Sequence, residues 1–121
     1  MLELRSELTK LLKTYNSQVY FQKAPNTATF PYVTYNFLDS FTNGDQEVIP
    51  MDVDIWDNKE DTTELEMITS SIWRGLKSYD YIDENIQFVI YQETRITELD
   101  EEDNNIRRRT LTFYIKFFYR G

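Results

Sequence analysis

The stretch TLTFYIKFFY, residues 110–119, has the clearest structural pattern in the chain. Large apolar side chains occupy every second position, which is typical of a β-strand with one buried face. The residues predicted to face the core are Leu111, Phe113, Ile115, Phe117 and Tyr119. Polar and aromatic residues alternate with them, so the stretch predicts a sheet whose two faces differ in composition.

Further strands are predicted upstream. Residues 19–22 form a short candidate strand, and residues 32–38, 47–56 and 86–95 form longer ones rich in β-branched and aromatic residues. Asn43-Gly44 is a strong turn signal between residues 32–38 and 47–56. We therefore expect a hairpin there, with a loop longer than two residues.

Two amphipathic helices complete the pattern. The first has an apolar stripe made of Leu4, Leu8, Leu11, Leu12 and Tyr15, and we expect it to end at residues 16–17. The second begins near Asp61 and Glu64, which have capping-box spacing, and ends near Gly75. Its stripe consists of Leu65, Ile68, Ile72 and Leu76. This order predicts one α+β domain over residues 1–121: an antiparallel β-sheet of about four to five strands with two α-helices packed on one face.

The composition excludes several kinds of site. The chain has 121 residues, no cysteine, no histidine, only three glycines and a formal net charge of −8. Disulfides, zinc sites built on cysteine or histidine, and Ser-His-Asp triads are therefore impossible within the chain. The glycines are too far apart for a phosphate-binding loop, and no apolar stretch is long enough to span a membrane. We expect no cofactor and no membrane contact, and none of these common types of catalytic or metal site.

The best candidate for catalysis is a group of three aspartates, Asp52, Asp54 and Asp57. Asp52 and Asp54 project from the same face of a strand about 7 Å apart, and such a pair could hold a divalent cation or perform acid–base chemistry. The alternative interpretation is a solvated or intersubunit strand face. The spacing does not match a calcium-binding EF-hand loop, because Trp56 stands where a third oxygen ligand is needed.

Two charged runs follow one another near the end of the chain. The acidic run consists of Glu98, Asp100, Glu101, Glu102 and Asp103. It could bind calcium or a basic partner, but a solvated loop is the simpler interpretation. Arg107, Arg108 and Arg109 come directly after it, which indicates local charge compensation across a hairpin. Successive arginines on a strand alternate between faces, and together with the acidic net charge this argues against binding of nucleic acid through phosphates.

Aromatic residues also fall on the sheet face that the two helices would leave uncovered. The candidate interface residues are Tyr32, Trp56, Tyr91, Tyr114 and Phe118. Several aromatics on an open sheet face would form an exposed apolar patch on a monomer. Because aromatic enrichment is typical of interfaces, we expect this protein to associate with itself.

Three short stretches carry a resemblance to a known family. They are PYVTY at residues 31–35, VDIW at residues 53–56 and RRRTLTFY at residues 107–114. In their order and spacing over nearly the whole chain, they resemble the tail-terminator (tail-completion) proteins of long-tailed bacteriophages, especially siphophages of Gram-positive hosts. None of the three stretches is a catalytic signature.

The resemblance implies a structural role in the neck of a virion, assembled in the host cytoplasm. Such proteins form a homohexameric ring on the head-proximal end of the tail tube. The ring stops polymerisation of the tail-tube protein and docks to the head-completion or connector protein. DNA passes through the channel without specific binding, so we expect acidic loops there: the Asn43-Gly44 loop and the run formed by Glu98, Asp100, Glu101, Glu102 and Asp103.

Three alternatives remain open at this stage. The first is another neck protein, such as a head-completion or adaptor protein. The second is a small divalent-metal-dependent enzyme that uses Asp52, Asp54 and Asp57. The third is an acidic module that mimics nucleic acid and binds a basic host protein.

Overall fold

A computed structural model describes residues 1–44, 46–97 and 105–120. Most of the regular structure is β. In chain order the elements are α1 (Leu2–Lys13), β1 (Val19–Phe21), β2 (Tyr32–Phe37), β3 (Phe41–Asn43), β4 (Gln46–Asp57), α2 (Thr63–Leu76), β5 (Asp80–Ile82), β6 (Ile86–Thr97) and β7 (Arg107–Tyr119). Within the described ranges, no helix is long and apolar enough to cross a membrane.

The seven strands form one mixed sheet. Their order is β1-β2-β4-β7-β6-β5, and β3 pairs with the first residues of β4. The β1–β2 pair is parallel, whereas the other pairs are antiparallel. The predicted fold, a simple antiparallel sheet of four to five strands with two helices on one face, is therefore wrong in the number of strands and in the direction of β1. β3 and β5 have three residues each and show no readable alternation, and the direction of the short β1 is set by its distant partner rather than by its own sequence.

The core lies on one face of the sheet, which we call the inner face. It is formed by the buried residues Val33, Tyr35, Ile49, Met51, Val53, Ile55, Ile86, Phe88, Ile90, Leu111, Phe113, Ile115 and Phe117. The alternation predicted for β7 is confirmed for the four residues from Leu111 to Phe117. It is wrong for Tyr119, which is 63% exposed. Tyr119 lies at the end of the strand, where its hydroxyl accepts a hydrogen bond from the Met1 amine at 2.8 Å.

Both helices contribute their apolar stripes to the same core. Leu4, Leu8 and Leu12 of α1 are fully buried, and Leu11 and Tyr15 are half-buried. In α2 the fully buried apolar residues are Leu65, Ile72 and Leu76. The helix periodicity read from the sequence is thus confirmed, although α1 ends at Lys13, earlier than expected.

The start of α2 differs from the predicted capping box. Asp61 accepts hydrogen bonds from the Thr63 backbone amide at 2.9 Å and from the Thr63 hydroxyl at 2.6 Å. The Glu64 carboxylate pairs instead with the Lys59 ammonium at 2.7 Å. The two acidic residues therefore fix the first turn separately, and the reciprocal bond of a capping box is not made.

Gly75 is the second-last residue of α2, so the predicted end of this helix near Gly75 is confirmed. A Cβ atom at this position would stand 1.9 Å from the Tyr15 hydroxyl oxygen and 2.5 Å from the adjoining ring carbon. Because Gly75 has no side chain, the ring of Tyr15, which lies two residues after the end of α1, can pack directly against α2.

The predicted β2–β4 hairpin with a long loop is confirmed. β2 pairs with β4 from Tyr32↔Trp56 to Phe37↔Met51, and β3 lies within the connection. Gly44 has φ +69°, a left-handed conformation that glycine adopts without strain. The Asn43-Gly44 turn therefore joins β3 to β4, one strand later than the sequence suggested.

Candidate interaction surface

The second face of the sheet, which we call the outer face, carries the predicted interface residues. Alternation along the strands places Tyr32, Trp56, Tyr91, Tyr114 and Phe118 there, and all five are half-buried. The neighbouring inner-face positions are almost completely buried. The outer face is therefore where this sheet presents aromatic surface, and whether another chain covers it stays a prediction.

One aromatic cluster lies at the β2 end of the outer face. The rings of Phe30 and Tyr32 stack at 5.2 Å between centroids, and those of Tyr32 and Trp56 stack at 6.0 Å. The Arg108 guanidinium lies 5.1 Å from the Trp56 ring centroid, at cation–π distance. The Trp56 indole N–H donates to the Thr34 hydroxyl at 3.0 Å, which fixes the indole against the sheet. Burial raises the pKa of Tyr32, in agreement with its position inside this stack.

A second aromatic cluster lies on the neighbouring strands β6 and β7 of the outer face. The Tyr91 and Tyr114 rings stack at 5.1 Å, and the Lys116 ammonium lies 5.0 Å from the Tyr91 centroid. An open depression of about 260 Å³ adjoins it; its lining residues are Phe41, Val48, Pro50, Glu93 and Tyr114. Phe41 is 60% exposed. This end of the outer face thus offers an apolar recess with one carboxylate at its edge.

A polar band separates the two clusters. Asp52 accepts a hydrogen bond from the Thr112 hydroxyl at 2.9 Å, and Asp54 accepts one from the Thr110 hydroxyl at 2.5 Å. Both aspartates lie on the outer face, as predicted. Their hydroxyl partners belong to β7, so these bonds join the two central strands of the sheet.

The third aspartate of the proposed metal site lies elsewhere. Asp57 is fully buried on the inner face, where one carboxylate oxygen accepts from the Asn58 amide at 2.9 Å and lies 3.5 Å from the Lys59 ammonium. The three aspartates therefore do not converge, and the part of the chain that the structure describes contains no group of three acidic residues placed to hold a metal ion.

The three arginines alternate between faces, as the sequence indicated. Arg107 donates to the Lys59 carbonyl at 2.6 Å, Arg108 covers Trp56, and the buried Arg109 pairs with the Glu66 carboxylate at 2.5 Å. These contacts attach β7 to the β4–α2 connection and to α2. The acidic run Glu98, Asp100, Glu101, Glu102 and Asp103 lies outside the described residues, so its pairing with the arginines stays a prediction.

Several members of the two clusters were not identified from the sequence. Phe30 precedes β2 and belongs to no periodic segment, and Phe41 lies in the three-residue β3. Lys116 and Arg108 do alternate onto the outer face, but their contacts with Tyr91 and Trp56 depend on how β7 pairs with β6 and β4. For Arg108 and Lys116, the sequence signal is the alternation of β7.

Comparison with known proteins gives one kind of match. No family model and no curated protein matches this chain. Among solved structures, a chain of the "Virion of native gene transfer agent (GTA) particle" superposes with a TM-score of 0.66, at 12% sequence identity. The superposition covers 88% of this chain and 84% of that chain. This similarity shows that the protein shares its fold with a chain of that virion.

Proposed function

We propose that this protein is a structural component of a virion and that it acts as a tail terminator. The observation that carries the general role is the similarity of its fold to a chain of a gene transfer agent virion over 88% of its length. The PYVTY, VDIW and RRRTLTFY stretches support the finer assignment. In this role the protein caps the head-proximal end of the tail tube, and it performs no catalysis.

The physical mechanism is capping by a closed ring. Six copies contact the last ring of the tail-tube protein and offer no matching surface to a further tube subunit, because closed cyclic symmetry leaves no free end. The opposite side of the ring docks to the head-completion or connector protein. The two aromatic clusters of the outer face, with Tyr32, Trp56, Tyr91 and Tyr114 at their centres, supply surface suited to such contacts.

DNA crosses the channel of such a ring without binding to it. With 21 acidic and 13 basic residues the protein repels phosphates overall. We assign the channel surface to the acidic run of residues 98–103. Replacing Glu98, Asp100, Glu101, Glu102 and Asp103 by serine is expected to slow DNA ejection or to disturb docking without changing the unfolding midpoint. Normal infectivity of particles that carry this variant would contradict the assignment.

The proposal is tested by deleting the gene from the genome that encodes the particle. Loss of a terminator yields tails of uncontrolled length next to filled, unattached heads, which electron microscopy distinguishes directly. Restoring the gene in trans provides the matched control. Tails of normal length in the deletion would instead support a head-completion or adaptor protein.

A second experiment uses purified components. Negative-stain images of the protein mixed with tail-tube protein are expected to show six-membered rings or short tubes closed at one end. A monomer in the absence of tube protein is compatible with the proposal, because the tube can act as a template for the ring. Uncapped tubes in the presence of excess protein would overturn it.

A further inference from the structure

One segment of the chain, which contains the two strands β1 and β2 at one end of the sheet, is almost free of charge. The segment from residue 14 to residue 38 contains a single charged residue, Lys23, in a chain that is 28% charged. The same segment is rich in aromatic residues: Tyr15, Tyr20, Phe21, Phe30, Tyr32, Tyr35 and Phe37. Depletion of charge together with enrichment of aromatics distinguishes the core of a protein interface from ordinary surface. We call residues 14–38, which contain β1 and β2, the charge-poor flank.

Part of this aromatic material remains accessible. Tyr20, Phe30 and Tyr32 are half-buried and contact one another, with Tyr20 and Tyr32 packed edge to face at 6.4 Å. The connection between β1 and β2 presents exposed uncharged residues, including Asn26 and Thr27. Lys23 is exposed and forms no ion pair with any described residue. The flank's own residues therefore offer apolar rings, uncharged polar groups and one positive charge, and the Arg5 guanidinium of α1 lies beside them, 3.9 Å from the Phe21 ring centroid.

The opposite end of the sheet presents an open strand edge. β5 pairs only with residues 87–89 of β6, and the Tyr79 carbonyl accepts from the Ile90 amide just beyond. β6 continues to Thr97, and no described strand pairs with that part of it on the side away from β7. The side chains of Glu93, Thr94, Arg95 and Ile96 are exposed. An open edge of this kind is a ready site for contact with another chain.

A single uncompensated charge marks this edge. Arg95 is engaged, since it donates to the Ser70 hydroxyl at 3.0 Å and lies 3.9 Å from the Glu66 carboxylate. Glu93 sits at a bulge in the β6–β7 pairing, between Gln92 and Thr94, and forms no ion pair with any described residue. Glu93 is thus the charge on the distal part of β6 that lacks a partner of opposite sign within the described ranges.

We infer that the charge-poor flank of one copy docks against residues 93–96 of β6 in the next copy, with Lys23 opposite Glu93. The two surfaces lie at opposite ends of the strand order, so each copy can use both at once. Such a heterologous contact repeats from subunit to subunit and closes into a ring when the rotation allows it. Contact between two identical flanks would instead bring Lys23 to Lys23 or Glu93 to Glu93, which is unfavourable. The inference rests on the self-association contained in the proposed function.

The absence of cysteine permits a direct test. Lys23→Cys and Glu93→Cys proteins are mixed at equal concentration in the presence of tail-tube protein, which can template the ring, and are treated with a bismaleimide whose spacer is as long as a lysine–glutamate pair. The mixed dimer is expected to exceed each homodimer at least fivefold. The control replaces Glu93→Cys by Glu60→Cys, an exposed position outside both surfaces. A mixed dimer no more abundant than in the control, or no more abundant than the homodimers, would overturn the inference.

Charge reversal gives an independent readout. Lys23→Glu and Glu93→Lys are each expected to weaken self-association about tenfold, measured as the yield of rings at tail-tube ends in negative-stain images over a concentration series. An equimolar mixture of the two variants is expected to regain the wild-type level, because every contact in an alternating ring is again between opposite charges. Unchanged association of both single variants contradicts the contact.

If cross-linking fails while the gene deletion still gives uncontrolled tails, the assignment of the flanks falls and the tail-terminator function stands. If cross-linking succeeds and the gene deletion gives tails of normal length, the contact between the flanks stands and the tail-terminator function falls.

Discussion

The inner and outer faces of the sheet are built from the same strands, yet they differ in almost every physical property. On β7 the inner residues Leu111, Phe113 and Ile115 are fully buried, whereas the intervening Thr112 and Tyr114 remain half-exposed. Burial of the inner face stabilises the folded chain, because its apolar side chains leave water completely on folding. The outer face retains half-exposed aromatic surface, which includes Tyr91 and Tyr114. Adjacent residues of one strand therefore differ in burial, and substitutions can separate their effects on stability from any effect on assembly.

The largest expected effect comes from Phe113→Ala. Phe113 is fully buried and packs 5.4 Å from the Trp73 ring, so its removal leaves a cavity and should cost about 3–5 kcal/mol of unfolding free energy. The matched control is Tyr114→Ala on the same strand, for which we expect a loss of at most about 1.5 kcal/mol. Urea denaturation measures both. Equal losses would show that the two faces do not differ as described.

The next largest effect on stability is expected at the contact between Gly75 of α2 and Tyr15, which lies just after α1. In an ordinary helix interior, replacing glycine by alanine stabilises by roughly 1 kcal/mol. Gly75→Ala should instead destabilise by about 1–3 kcal/mol, because the new Cβ collides with the Tyr15 ring. Thermal unfolding of Gly75→Ala, Tyr15→Leu and the double variant forms a double-mutant cycle. A favourable coupling term is expected, and a stabilising Gly75→Ala in the wild-type background would contradict the contact.

Outer-face substitutions should affect assembly more than folding. Tyr91→Ser disrupts the stack with Tyr114 and removes the ring beneath Lys116, which should lower the unfolding free energy by only about 1 kcal/mol. Under the proposed function, binding to tail-tube ends should weaken by roughly tenfold or more, as at an interface hot spot. Cosedimentation with preformed tubes measures binding, with Met67→Ser on α2, exposed at 65%, as the control. A variant that binds like the wild type would place the tube contact elsewhere.

The contrast between the inner and outer faces also indicates which parts of the fold the sequence could predict. Inner-face positions were identified because burial imposes a period of two on strands and 3.6 on helices, and both periods were visible in β7, α1 and α2. The seven-stranded mixed sheet was missed because β3 and β5 are too short to show a period. The parallel pairing of β1 depends on contact with β2, which no local pattern records.

For the outer face, the sequence indicated the kind of residue but not its contacts. Alternation placed Tyr32, Trp56 and Tyr114 on the correct face. It did not predict that Arg108 would lie over Trp56, since that contact follows from the register between β4 and β7. It also grouped Asp57 with Asp52 and Asp54, although an odd spacing puts Asp57 on the inner face. The sequence of one strand shows which residues share a face, but it does not show which residues of the neighbouring strand lie opposite them.

The smallest expected effect is a pH dependence that arises at the edge of the sheet and belongs to neither face. Asp83 lies in the β5–β6 turn, where it accepts hydrogen bonds from the Ile86 and Asn85 amides at 2.9 and 2.7 Å. These bonds hold the pKa of Asp83 below its usual value, and the bond from the Tyr81 hydroxyl raises the pKa of Tyr81 to about 12. A carboxyl whose pKa is lowered by folding stabilises the protein above its unfolded pKa, near 4, and loses that contribution as pH falls through the folded pKa.

Asp83→Asn should therefore be slightly less stable than the wild type at pH 7, and the difference should shrink steadily below about pH 4. Urea midpoints at pH 7, 5 and 3 measure this, with Glu84→Gln as the control because Glu84 is the exposed neighbour. The same variant should lower the pKa of Tyr81 towards 10, its ordinary value, which ultraviolet difference spectra of the tyrosinate record. A difference in stability that stays constant down to pH 3, together with an unshifted Tyr81, would mean that the turn is held by its backbone alone. The chemical contrast between the two faces would then account for the stability of the sheet without help from its edge.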